Sequence, residues 1–220
     1  VAIDRFARAR IPARHALSTR ASFKPAGPRQ AAVMVGVSRW LEGYAPGEDN
    51  RGLVLYGQVG RGKTHLMVAM LRELVFRYGR TVRFVEFSHL LADLKSGFDH
   101  GLGAARLIDP LVAVDVLAID ELGKGRNTEF EGTVIDELVT RRYNAAATIL
   151  ATTNYAPDAP ATGRATANSA AVALEAAPAP SLVDRVGPRV HSRLQEMCDF
   201  LEVDGPDHRK QQRERRRGEG

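Results

Sequence analysis

An α/β fold built on a parallel sheet is the class this sequence predicts, and three observations carry that expectation. The first is the run Gly57-Gln58-Val59-Gly60-Arg61-Gly62-Lys63-Thr64, which has the form G-x-x-x-x-G-K-[ST]. An apolar segment of strand length (52–56) precedes it, and residues 65–75 follow with apolar side chains at helical spacing. The second is the apolar segment 114–120, which closes on Asp120 and Glu121. The third is the succession of strand-like segments at 52–56, 81–87, 114–120, 148–154 and 199–203, separated by helical patterns.

Size and composition set the bounds. A chain of 220 residues can bury a full core, as one α/β domain with short extensions or at most two small domains. No apolar run approaches membrane-spanning length, and the opening residues lack the hydrophobic region of a signal peptide. A single cysteine, Cys198, excludes a disulfide framework and a cysteine-rich zinc site within this chain, which fits a reducing, cytoplasmic setting. The net charge of +5 leans towards an acidic partner, of which nucleic acid is the commonest.

Residues 1–29 hold Arg5, Arg8, Arg10, Arg14, Arg20, Lys24 and Arg29 against the lone acid Asp4, with Pro12, Pro25 and Pro28 interrupting any long helix. They read as a basic arm or a solvated linker ahead of a domain spanning 30–210. A helix over 30–44 is expected from Ala31, Val33, Met34, Val37, Trp40 and Leu41 on one face. After the second strand, Ser88 is a candidate N-cap for a helix through 95, which Gly97, Gly101 and Gly103 are expected to end. A further helix over 104–112 contains Pro110.

Thr128 followed by Glu131 has the spacing of a capping box and opens a helix to about 143. Arg141 and Arg142 at its end suit the helix dipole as well as a ligand role. Residues 156–181 are dominated by Ala, Pro and small polar residues and read as a flexible insertion within the domain. Order is expected to resume over 182–197, where Val190, Leu194 and Met197 share a helical face. The chain then closes on a fifth strand and a basic tail, 211–220.

The chemistry follows from the loop. Glycines let a backbone curl until successive N–H groups face phosphate oxygens, and the following helix adds its positive end. Gly57, Gln58, Val59, Gly60, Arg61, Gly62, Lys63, Thr64 and His65 are therefore the nucleotide-binding candidates. Lys63 is expected to reach the β- and γ-phosphates, and the Thr64 hydroxyl to ligand Mg²⁺ together with Asp120. Glu121 is placed to polarise an attacking water, and Asn154, ending the fourth strand, to orient that water or sense the γ-phosphate.

Taken together, these motifs resemble the AAA+ ATPases, and among them the bacterial DnaC/IstB-like group. The residues that carry the likeness are 57–64, Asp120-Glu121, Thr152-Thr153-Asn154, the run 189–194 and Gly205-Pro206-Asp207-His208-Arg209, across positions 30–210. The resemblance implies a three-layer P-loop NTPase fold of the AAA+ ASCE type with a five-stranded parallel sheet. Since the chain ends soon after its fifth strand, a C-terminal helical lid is not expected. It implies ATP as substrate with Mg²⁺, and Asn154 as a first sensor. Arg193 would be an arginine finger that completes a neighbouring subunit's site, with Arg189 its competitor. Arg209 would be a second sensor acting in cis. It implies assembly into homo-oligomers on single-stranded DNA, with a replicative helicase or a transposase as partner, and helix 88–95 with its glycine loop facing the DNA.

Two other functions share the loop. A small-molecule kinase would need an acceptor pocket, of which the sequence shows none. An adaptor would bind ATP without turning it over.

Overall fold

The computed structural model describes residues 1–158 and 179–208. Five parallel strands form one sheet in the order β2-β3-β4-β1-β5: β1 (Gly52–Tyr56), β2 (Val82–Glu86), β3 (Val116–Asp120), β4 (Thr148–Thr153) and β5 (Cys198–Glu202). The register aligns their carboxyl ends. Tyr56 pairs with Thr153, Tyr56 with Glu202, and Glu86 with Asp120. Ligand groups carried past those ends therefore collect on one edge, where open α/β sheets bind.

Alternation along each strand divides the core into two layers. Leu53, Leu55, Val116, Ala118 and Leu150 face α2 (Pro28–Gly43) and α3 (Lys63–Phe76). Val54, Leu117, Ile119, Ile149 and Ala151 face α4 (Phe87–Asp99), α5 (Ala104–Val112), α6 (Glu129–Asn144), α7 (Leu182–Val186) and α8 (Pro188–Met197). The expected three-layer α/β fold is what the chain adopts. Both faces of β3 and β4 are covered, so every residue of these strands is buried, as parallel sheets require.

Four local expectations are corrected. Ser88 does not cap α4: the helix starts at Phe87, and the Ser88 hydroxyl donates to Glu86 Oε1 at 2.8 Å. Gly97 does not break that helix but lies buried inside it, and a Cβ there would sit 2.6 Å from Leu107 Cδ1. Close approach of α5, not chain termination, explains that glycine. The run 182–197 is two helices, because Gly187 at φ +82° and Pro188 divide it. The capping box of α6 is half made. Thr128 accepts the Glu131 N–H, whereas the Glu131 carboxylate takes the N–H groups of Arg126 and Asn127 instead of Thr128's own.

The N-terminal 27 residues are seated on the sheet. They carry α1 (Ala2–Arg8) and a 3₁₀ turn (Ala13–His15), and the Ala9 carbonyl accepts the Phe84 N–H at 2.7 Å along the outer edge of β2. Phe23 and Ala9 are buried in the α3 layer, and Arg20 pairs with Glu73 of α3. The basic residues there conceal the apolar ones, spaced too irregularly to register as a helix, that pin the segment down. Residues 159–178, most of the expected insertion, lie outside the described residues. Its flanks meet, with the Leu182 N–H donating to the Ala156 carbonyl at 2.7 Å.

Arg142, at the end of α6, is fully buried and binds five carbonyls, those of Leu111, Val112, Val114, Asp115 and Thr148. Burial pulls its guanidinium down to about 10. It ties the end of α5 to the starts of β3 and β4, a structural role and not a ligand one. Its neighbour Arg141, half-buried, pairs with Asp109 and Glu137.

Candidate functional site: a phosphate loop facing an acidic strand end

Strand β1 ends at Tyr56 and α3 begins at Lys63, so the six residues between them must reverse direction in very little space. Gly57 (φ +134°) and Gly62 (φ +95°) make that possible. A Cβ at either would lie 2.6 Å from Val203 O or from the Phe23 ring respectively. The loop is held from three sides. Gly57 N–H donates to Thr153 O, Val203 N–H to Tyr56 O, and His208 N–H to Gly60 O at 3.0 Å.

The side chains converge as the sequence motifs imply. Lys63 is buried, and its ammonium donates to Gly57 O (2.6 Å), Gln58 O (2.7 Å) and Asn154 Oδ1 (2.8 Å). A buried cation needs such partners. Carbonyls and an amide hold it at the mouth of the loop in a position that phosphate oxygens can take over. Across the mouth, Thr64 Oγ1 donates to Asp120 Oδ1 at 2.9 Å. A hydroxyl and a carboxylate oxygen at this spacing are hard donors that fit Mg²⁺, with nucleotide oxygens and water supplying the remaining ligands.

Thr152 was legible only as part of the strand end, and the structure gives it a specific place. Its hydroxyl, 1% exposed, donates to Asp120 Oδ1 at 2.6 Å and accepts the Glu121 N–H at 3.0 Å. One side chain thus fixes both acids. Burial pushes the Asp120 carboxyl above its usual range, opposed by the hydroxyls of Thr152 and Thr64 and reinforced by the charges of Glu121 and Glu86. Glu121 itself sits in the left-handed region at φ +56° and forms an ion pair with Lys124. That loop is gripped from α7, where Arg185 Nε donates to Gly123 O at 2.9 Å.

A cleft of about 490 Å³ opens between these groups, lined by Lys63, Thr64, Glu121, Thr152 and Asn154 on the sheet side. Its opposite wall comes from the N-terminal segment, with Phe23, Lys24, Pro25 and Ala26, and from His208. His65 reaches the cleft, but its Nε2 is bound to Ser22 Oγ and Thr19 O, each at 3.0 Å. The Phe23 ring stands 5.8 Å from the His65 ring and 5.5 Å from that of His208. Sequence reading missed this wall because no motif marks it. Arg61 turns to Gln58 Oε1, and Val59 is exposed.

Arg193 is not in the cleft. It sits on α8 with Nη1 3.0 Å from Asp136 Oδ1 of α6, and Arg189 lies 3.8 Å from the same carboxylate. Arg209 lies outside the described residues. Among the described residues no helix is long and apolar enough to cross a membrane.

Comparison with known proteins agrees with this geometry. Residues 37–160 match the family model described as IstB-like ATP binding protein. The replicative helicase loader DnaC of Escherichia coli (strain K12) is similar at 31% identity over 93 residues, 42% of this chain and 38% of that protein. DnaC of Buchnera aphidicola subsp. Schizaphis graminum (strain Sg) is similar at 28% over 118 residues, 53% of this chain and 47% of that one. The chain thus matches less than half the length of these curated relatives. Among solved structures, the DnaC helicase loader aligns with a TM-score of 0.71 at 25% identity, covering 88% of this chain and 100% of that one. DnaI (TM-score 0.64, 19% identity, 90% and 94% coverage) and AMPPCP-bound DnaA from Aquifex aeolicus (0.64, 18%, 92% and 55%) share the fold. The phosphate loop, the acidic strand end and the family match over more than half of its length lead to one assignment: this chain belongs to the IstB-like ATP-binding protein family, on an AAA+ fold.

Proposed function

We propose that this protein binds ATP with Mg²⁺ and hydrolyses it, and that the nucleotide governs its assembly on single-stranded DNA with a partner protein. The observation that carries the reading is the convergence of Lys63, Thr64, Asp120 and Asn154 on the mouth of one loop. The loop amides and the Lys63 ammonium bind the β- and γ-phosphates. Thr64 and Asp120 hold Mg²⁺, which supplies charge neutralisation on the phosphate oxygens. Asn154 orients water, and the Glu121 carboxylate accepts its proton. The water oxygen bonds to the γ-phosphorus as the bond to the β-phosphate oxygen breaks, releasing ADP and phosphate.

Arg193, or Arg189 beside it, serves a neighbouring subunit's site as the finger. Its guanidinium would have to leave Asp136 to meet the charge developing on the transferred group. Arg209 acts as the second sensor. A replicative helicase or a transposase is the partner class, by analogy with the relatives named as helicase loaders and with the IstB-like family.

One observation favours a second reading, an adaptor that binds ATP without turnover: the Glu121 carboxylate is engaged by Lys124. Phosphate release, measured with and without single-stranded DNA, separates the two. Hydrolysis predicts free phosphate from the wild-type protein and its loss in Glu121→Gln with ATP binding retained. Turnover that is absent in both, or equal in both, refutes it. A phosphorylated acceptor in place of free phosphate would identify a kinase.

A further inference from the structure

A second cleft, of about 680 Å³, runs between α3 and residues 19–21 and shares no lining residue with the one at the phosphate loop. Ala69, Arg72, Glu73 and Phe76 come from the helix, at the i, i+3, i+4, i+7 spacing that places four side chains on one face. Leu66, Met67, Met70, Leu71 and Leu74 of the same helix enter the core, so this face is left for something else. The facing wall is held in shape. The Thr19 N–H donates to Ser22 Oγ at 2.9 Å and the Ser22 N–H to Thr19 Oγ1 at 3.0 Å. Arg20 forks onto the Glu73 carboxylate and also donates to Ser38 Oγ at 2.9 Å. The cleft is therefore formed before anything enters it.

Its lining is positive and apolar at once. Arg20 and Glu73 cancel each other, whereas Arg72 and Arg77 meet no carboxylate among the described residues. Arg72 donates to the Ala16 carbonyl at 3.3 Å, and its guanidinium lies 5.5 Å and 5.1 Å from the Phe6 and Phe76 ring centres. Arg77 is exposed, 5.1 Å from the Tyr78 ring centre. Phe76 is 45% exposed, and Ala21 on the facing wall is exposed too. An aromatic ring left half in water on a concave, arginine-flanked surface is what a protein interface covers, because Arg and aromatic side chains concentrate binding energy there. Nucleic acid suits this lining less well. The Glu73 carboxylate stands among only two uncompensated cations, where a phosphate backbone follows a continuous positive groove.

We infer that this cleft docks an acidic segment of the partner protein, whose carboxylates meet Arg72 and Arg77 while a large apolar side chain covers Phe76. This rests on the partner-protein part of the proposed function and gives that partner a seat and a chemistry. Charge complementarity commits the occupant: two guanidiniums without a carboxylate flank one apolar face, so the matching segment carries acids around an apolar anchor. The room is that of a small-ligand pocket, which suits a few side chains of a short segment laid along α3.

The test pans a random peptide library, displayed on phage, against the full chain and follows the recovered peptides by fluorescence anisotropy. Recovered sequences should combine acidic residues with a large apolar one. Arg72→Gln and Arg77→Gln should each weaken binding about fivefold at low salt, about 25-fold together, and less as salt rises. Phe76→Ala should weaken it about 5- to 30-fold with the salt dependence unchanged, as loss of an apolar anchor does. Lys95→Gln, an exposed charge on α4, should bind as wild type does, and ATP binding should be unaltered in all four. The inference is overturned by an empty selection, by peptides without an acidic bias, or by variants that bind them as wild type does. Displacement of the peptides by oligothymidylate overturns it too, since the cleft would then serve nucleic acid. So does a smaller assembly of Arg72→Gln/Arg77→Gln in sedimentation without peptide, which would make a second copy of this chain the occupant. Acidic peptides that bind wild type and variants alike sink the cleft but leave a partner protein another seat; ATP binding without any peptide binding sinks the cleft and leaves the nucleotide reading standing.

Discussion

Replacing Thr152 by Val isolates the one side chain that orders both acids of the site. The substitution preserves the β-branched shape in a strand position that is 1% exposed, so little packing is lost. What disappears is a donor 2.6 Å from the Asp120 carboxylate and an acceptor 3.0 Å from the Glu121 N–H. A hydrogen bond to a charged group is worth about 1.5–3 kcal/mol. If that energy serves to hold the acids for Mg²⁺ and water, turnover falls by about 10- to 100-fold at 1.4 kcal/mol per decade. Thr152→Ser, which keeps the hydroxyl, should stay near wild type.

The same change carries a pH signature. Asp120 already sits above its usual range because it is buried, and the Thr152 hydroxyl is the leading influence pulling it back. Metal binding needs the carboxylate, so protonation competes with it and Mg²⁺ affinity falls as pH drops towards the raised value. Loss of the donor raises that value further, and the acid limb of the Mg²⁺ titration moves to higher pH in Thr152→Val. Turnover and Mg²⁺ titration are the assays, with nucleotide affinity in the absence of metal as the internal control. Unchanged turnover together with an unmoved acid limb would refute the argument.

Two further outcomes are expected. Arg142→Met strips five buried carbonyls of their donor while recovering the cost of burying a charge. We expect a net loss of about 3 kcal/mol in chemical unfolding, or a midpoint lower by about 6–12 °C in thermal scans. Lys124→Ala frees the Glu121 carboxylate from an ion pair whose partners are 54% and 31% exposed. Exposed pairs are worth at most about 1 kcal/mol, so unstimulated phosphate release should rise about two- to fivefold, and Lys124→Arg should restore the wild-type rate.

The sequence by itself determined the fold class, the strands, and the residues that meet at the mouth of the loop. A phosphate loop is local, since its glycines, lysine and threonine act within one turn of chain. An apolar strand that ends in two acids announces its own burial and direction. Short apolar runs and helical spacing are likewise written in short windows, which is why 52–56, 65–75 and 114–120 were legible.

Only the tertiary structure decided what depends on distance along the chain. Nothing near Thr152 shows that it will meet Asp120, 32 residues away, or near Arg142 that it will meet the carbonyls of α5 and of the residues just before β3. The second wall of the cleft and the cover over the edge of β2 join residues 8–26 to residues 65, 83 and 208. In sequence those residues present only scattered charge among prolines. Their places are set by a few apolar anchors, Ala9 and Phe23 among them, whose burial is a property of the assembled sheet.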